Sequence, residues 1–143
     1  MMKRMSHPSV RILCATAAAW SLAFASLPAA SQPPPPSTRT TVVKGVTVKI
    51  SPRTVAADLE IWVFSVVLDT HSQDLADDLT KTVVLLTDDG QQSQPLSWKG
   101  PGAGGHHREG VLEFVAPKPY PRAIELKMQR PGEADARSFR WTF

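Results

Sequence analysis

One cysteine occurs in the 143 residues, Cys14, and none follows it. A disulfide framework is therefore excluded, and so is a blue-copper centre, which needs a cysteine thiolate. The sequence has no glycine-rich phosphate loop followed by Lys-Ser/Thr, no H-E-x-x-H and no G-x-S-x-G. Phosphate-cradling, zinc-protease and serine-hydrolase chemistry thus have no local signature. Ser72 follows His71 directly, and neighbours on a strand point to opposite faces, so that pair is no nucleophile and base. Met128 is the only methionine after the first five residues, too few for a methionine-rich copper carrier. Excess charge is lacking too. The formal +3 comes entirely from Lys3, Arg4 and Arg11, and residues 31–143 balance at zero. A nucleic-acid binder, whose basic surface must neutralise phosphates, is excluded on that ground.

What is present begins with a leader. A basic stretch, Met1 to Arg11, precedes an alanine-rich apolar run, Ile12 to Ala25, and then small residues. This is the order of a secretory signal, so residues 1–30 are expected to be a signal peptide cleaved after Ala25, Ala29 or Ala30. The alternative is an uncleaved anchor, the chain's only expected route to a membrane, because Ile12 to Ala30 carries no charge and is just long enough to span. Cys14 opens the apolar run instead of following it and is no lipid-anchor cysteine. Residues 31–40 (SQPPPPSTRT) form a proline-rich linker, extended where the four prolines run together. The destination is periplasmic or otherwise extracytoplasmic.

Residues 41–143 alternate with period two between turn signals. Seven strands are expected: Val42 to Ile50, Leu59 to Leu68, Thr82 to Thr87, Pro95 to Lys99, Val111 to Ala116, Ala123 to Gln129, and Phe139 to Phe143. Ser72 to Thr80 reads as a loop or single turn. Trp62, Phe64, Leu112, Phe114, Ile124, Leu126, Phe139 and Trp141 fall in the inward phase. The reading is an all-β, seven-strand antiparallel sandwich, immunoglobulin-like or fibronectin-like. The second strand also carries Ile61, Val63 and Val67 on its other face, which predicts cover on both sides for part of its length.

Charge is uneven along this domain, with residues 58–89 strongly acidic, residues 90–116 neutral, and residues 38–57 and 117–143 basic. Either each strand wears its own solvated charges, or Asp69, Asp74, Asp77 and Asp78 make one acidic end that attracts cations or a basic partner. The histidines suggest a site. In a sandwich of this type the second and fifth strands pair antiparallel, which brings Asp69 and His71 beside His106, His107 and Glu109. Imidazoles with carboxylates suit Zn²⁺ or Cu²⁺. The structural alternative has a strand-end histidine pinning the Gly102–Gly105 loop while Arg108 pairs with Asp69 or Asp74. Trp98, Arg108 and Asp74 are further candidates for a ligand or partner surface, although Trp98 also reads as a lid over the sandwich end.

The strings Leu68-Asp69-Thr70-His71-Ser72 and Pro95 to Phe114 (PLSWKGPGAGGHHREGVLEF) resemble small exported bacterial β-sandwich proteins of uncharacterised function. The resemblance covers most of residues 45–143 and implies one cohesive domain with a shared site at the His loop. It implies no activity, substrate or cofactor. The expected function is a non-enzymatic extracytoplasmic interaction or accessory domain of the cell envelope, with an envelope protein or small ligand as partner. The alternative is a Zn or Cu binding protein using His71, His106 and His107.

Overall fold

The computed structural model describes residues 36–143, so the expected cleavage sites and the first half of the linker lie outside the described residues. The chain runs β1 (Arg39–Val43), β2 (Val46–Thr54), β3 (Ile61–Thr70), a single helical turn α1 (Leu79–Thr82), β4 (Val83–Thr87), β5 (Gln92–Ser93), β6 (Ser97–Lys99), β7 (His107–Val115), β8 (Ala123–Met128) and β9 (Arg137–Thr142). One antiparallel sheet has the order β1-β2-β3-β7-β6, and a second has the order β5-β4-β8-β9. All eight residues expected to face inward are buried, in a core shared by both sheets. The fold is all-β and sandwich-like.

Several boundaries differ from expectation. The first expected strand is a hairpin, broken at Lys44 and Gly45, where φ is +49° and +76°. Two consecutive positive φ values are the geometry of a tight hairpin turn whose twist matches the strands. The usual Asn-Gly or Asp-Gly signal is missing here, which is why the period-two pattern reads straight through. The strand also starts at Arg39, inside the segment expected as linker, and β2 continues past Pro52 by means of a bulge between Pro52 and Thr54. Finally, β7 begins at His107, four residues before the expected start. With the hairpin and the two-residue β5, the described residues hold nine strands where seven were expected.

The two ends of the sandwich are closed differently. At one end Trp62, Tyr120 and Phe143 meet edge to face or tilted, with centroids 5.4–6.0 Å apart. Trp62 Nε1 donates to Ala56 O at 2.9 Å, and Trp141 Nε1 donates to Ser37 O at 2.7 Å, so the described chain enters here. At the other end converge the β1–β2 turn, residues 71–78, residues 100–106 and residues 129–136. There the closing groups are ionic.

Trp98 on β6 pairs across from Leu112 and tucks its indole over the sheet edge, donating from Nε1 to Pro101 O at 2.8 Å. Gly110 makes this possible. A Cβ at 110 would lie 2.8 Å from the indole and closer still to the Lys99 carbonyl oxygen. Gly110→Ala is therefore expected to cost about 1–3 kcal/mol by overpacking. Gly102→Ala, with open space around the added carbon, should stay within about 0.5 kcal/mol of wild type. Urea unfolding of the two variants checks the pair, and equal midpoints would refute the packing assignment.

Candidate functional site

Three arginines project inward at the ionic end. Arg137, just before Phe139 and Trp141 in the inward phase of β9, donates from Nη1 to Val46 O at 2.9 Å and to Thr41 Oγ1 at 3.2 Å, and from Nη2 to Val43 O at 3.2 Å. It also donates to both carboxylate oxygens of Glu133, and Oε1 accepts as well from Arg130 Nη1 at 3.0 Å. Arg130 in turn grips Asp77 bidentately, Nε to Oδ1 at 2.8 Å and Nη2 to Oδ2 at 3.0 Å. Side chains in this Asp77–Arg130–Glu133–Arg137 chain are at most 4% exposed. Hydrogen bonds from Arg137 hold the Glu133 carboxyl below the usual carboxylate range. Burial works to lower the Arg130 pKa, but the Asp77 and Glu133 carboxylates outweigh it and raise the value.

Arg108 takes the third inward place. It is 2% exposed and therefore forms no partner surface, nor does it pair with Asp69 or Asp74. It lies on the inward side of β7, whereas Asp69 is on the outer face and Asp74 accepts from Gly105 N. Its Nη1 donates to Asp77 O at 2.7 Å and Leu75 O at 3.1 Å, its Nη2 to Pro101 O at 3.2 Å, and its guanidinium lies 5.6 Å from the Trp98 ring centroid. The indole of Trp98 is thus a lid over a buried cation.

The expected β3–β7 pairing is present, and in its register Asp69 stands opposite His107. Both side chains point out of the sheet. The Asp69 carboxylate can only accept, so the Nδ1–H of His107 donates to Oδ1 at 2.6 Å. Nε2 faces Glu109 at 3.8 Å. The proton that comes and goes therefore sits on Nε2. His106 contributes its carbonyl, which accepts from Thr70 N at 2.9 Å, while its ring is exposed. His71 is exposed beyond the end of β3. Of the five residues considered for a metal, the structure brings Asp69, His107 and Glu109 together. The two carboxylates approach opposite nitrogens of one ring, so these three cannot converge on one ion. Among the described residues no three His, Cys, Asp or Glu side chains are placed to hold a metal.

The aspartates of the acidic run are each engaged. Asp77 is buried against Arg130. Asp74 Oδ1 accepts from Gly105 N at 2.7 Å, and main-chain bonds between Leu75 and Gly104 and Gly105, at 2.8 and 2.9 Å, lace the two loops together. Asp78 caps α1 through Thr80 N at 3.2 Å. Donation from Lys81, then from Thr80, brings its pKa down to about 2. A freely solvated acidic end is therefore not what the run makes. Sequence reasoning missed the buried arginines, although each extends the inward phase of its strand.

No helix among the described residues is long and apolar enough to cross a membrane. Comparison with protein families, curated proteins and solved structures finds no match.

Donation to Asp69, then the charges of Asp69 and Glu109, raise the His107 pKa above its ordinary value. Its contribution to stability is accordingly complete below the unfolded value near about 6.5 and is lost as pH rises through the higher folded value. In an NMR titration of the His107 ring, Asp69→Asn is expected to return the midpoint toward the ordinary value, and Glu109→Gln to lower it less. An unchanged midpoint in Asp69→Asn would contradict the assignment.

Proposed function

We propose that this chain is a non-enzymatic interaction domain of the cell envelope, exported by its leader and carried on the proline-rich segment, with the ionic-end loops as its binding surface. The observation that carries this reading is the construction of those loops. Residues 71–78, 100–106 and 129–136 hang on a buried charge network that fixes them before any partner arrives, which lowers the ordering cost of binding. The outer groups, including His71, His106 and Asp135, are exposed. His107 is 57% exposed on an open sheet face, without the concave, water-excluding surroundings that general acid–base catalysis favours.

The strand order supports an immunoglobulin-like or fibronectin-like type. Sheets ordered β2-β3-β7-β6 and β5-β4-β8-β9 correspond to the A-B-E-D and C′-C-F-G arrangement of that class, with β1 as an added hairpin strand. On that correspondence the ionic end bears the B–C, D–E and F–G loops. Loops of one sandwich end, B–C and F–G among them, bind antigen in variable domains. Because the chain enters at the aromatic end, the linker would hold the loop end away from its point of attachment.

Zn²⁺ or Cu²⁺ binding would need His71 or His106 to join His107 Nε2 and Glu109, since two donors make a weak site. Calorimetry with either ion separates the two readings, a site with binding heat lost in His107→Ala favouring the metal. For the interaction reading, a photoreactive residue is placed at Ala76 or Ala103 in the ionic-end loops, or at Ala57 near the aromatic end, in the exporting cells. Discrete adducts with an envelope protein from positions 76 and 103, and none from 57, are expected. Adducts equal at all three positions would overturn the assignment of the binding end.

A further inference from the structure

The outer face of the five-stranded sheet breaks the rule that a solvated antiparallel face is polar. Of the outward positions on its two central strands, Ile61, Val63 and Val67 on β3 and Val111 and Val115 on β7 are β-branched aliphatics. Ile61 and Val115 stand opposite each other at 39% and 52% exposed, and Val63, Val67 and Val111 are half-buried. Cover on both sides of β3, the expectation from its sequence, is thus incomplete among the described residues.

Charged groups flank this strip in a particular order. One row across the sheet reads Lys49, Val67, Glu109, on β2, β3 and β7. Lys49 is exposed and has no ion pair among the described residues. Glu109 is exposed on the opposite side of the same valine, with only the 3.8 Å approach of His107 Nε2. A two-fold axis in the plane of the face and along β3 exchanges β2 of one copy with β7 of the other and keeps each row in place. It sets Val63 and Val67 against their own copies and puts Lys49 over Glu109 twice. Each Asp69 near the axis is already turned to its own His107.

We infer that this face is the interface of a two-fold dimer of the chain, closed by the Val63–Val67 strip and two reciprocal Lys49–Glu109 pairs. An isologous contact requires this kind of self-complementarity. Three strands about 30 Å long, flanked by the shorter β1 and β6 and spaced about 4.8 Å apart, offer roughly 570 Å². A standard interface buries about 800 Å² per partner, so the area is of the right order. Edge-to-edge association is blunted on one side of the sandwich, because Arg137 occupies the Val43 carbonyl and Arg39 Nε donates to Arg140 O at 2.8 Å. Both chains enter the dimer at the same end, so two linkers would leave side by side and the two loop ends would face one way.

Sedimentation equilibrium on the full chain as the cell matures it tests this. Wild type is expected at twice the monomer mass by about 100 μM, corresponding to a micromolar Kd. Lys49→Glu and Glu109→Lys should each weaken association about tenfold or more by setting like charges together. The combined reversal K49E/E109K should restore affinity to within about threefold of wild type, as a reciprocal pair requires. Val67→Asp should be monomeric with an unchanged far-UV spectrum. Lys49 is exposed, so its reversal tests the interface even if Val67→Asp fails to fold. A monomeric wild type at about 100 μM, or a double reversal as weak as the single ones, would overturn the proposal.

Discussion

A neutral chain of four buried charges, Asp77–Arg130–Glu133–Arg137, crosses one end of the sandwich and joins residues 71–78 to residues 129–136 and to the first hairpin. Taking ions out of water costs several kcal/mol each unless every charge meets its opposite and the remaining donors find acceptors. Here the carboxylates alternate with guanidiniums, and the spare donors of Arg137 go to main-chain oxygens of Val43 and Val46. Those oxygens belong to the five-stranded sheet, whereas Arg137 belongs to the four-stranded one. The charge chain therefore ties the sheets together where the core ends. Arg108 extends the tie from β7, since the Asp77 residue that pairs with Arg130 also offers its carbonyl to Arg108.

The aromatic end needs no such network, because Trp62, Tyr120 and Phe143 continue the apolar core to the surface. This difference bears on function. Aromatic packing closes an end without presenting specific donors and acceptors, whereas ionic closure fixes loops whose outer groups stay polar and accessible. Burying a charge pair adds little net stability compared with an apolar substitute, but it penalises every arrangement that leaves one charge unpaired. A loop cluster built this way has a narrow choice of conformations, which suits a surface meant to recognise a partner.

Much of the fold was legible in the sequence because strands report themselves through period two. The eight inward apolar residues, the β3–β7 pairing and the neighbourhood of Asp69 and His107 all follow from alternation and topology. The β1–β2 turn was not legible because Lys44-Gly45 lacks the side-chain signal of its turn type. The start of β7 was hidden because Gly110 interrupts the alternation, Trp98 needing the space a side chain would take. The ionic end misled for a different reason. A charged residue is ordinarily read as solvated, so Asp77 counts toward an acidic surface and Arg108 toward a partner surface. Yet Arg130 lies two residues beyond Met128, Arg137 two before Phe139, and Arg108 four before Leu112. In each case the arginine keeps the inward phase of its strand. Phase, followed past the last apolar residue, carries the information that composition conceals.

The most direct test of the claim that buried charge pairing holds the loop end is a double-mutant cycle on Asp77 and Arg130, using Asp77→Asn, Arg130→Met and the double variant in urea unfolding. Each single change leaves the buried network one charge out of balance and is predicted to cost about 3–5 kcal/mol. The double variant is predicted to lose less than the sum, by a coupling of about 2–3 kcal/mol. Losses that simply add, to within about 0.5 kcal/mol, would contradict the account.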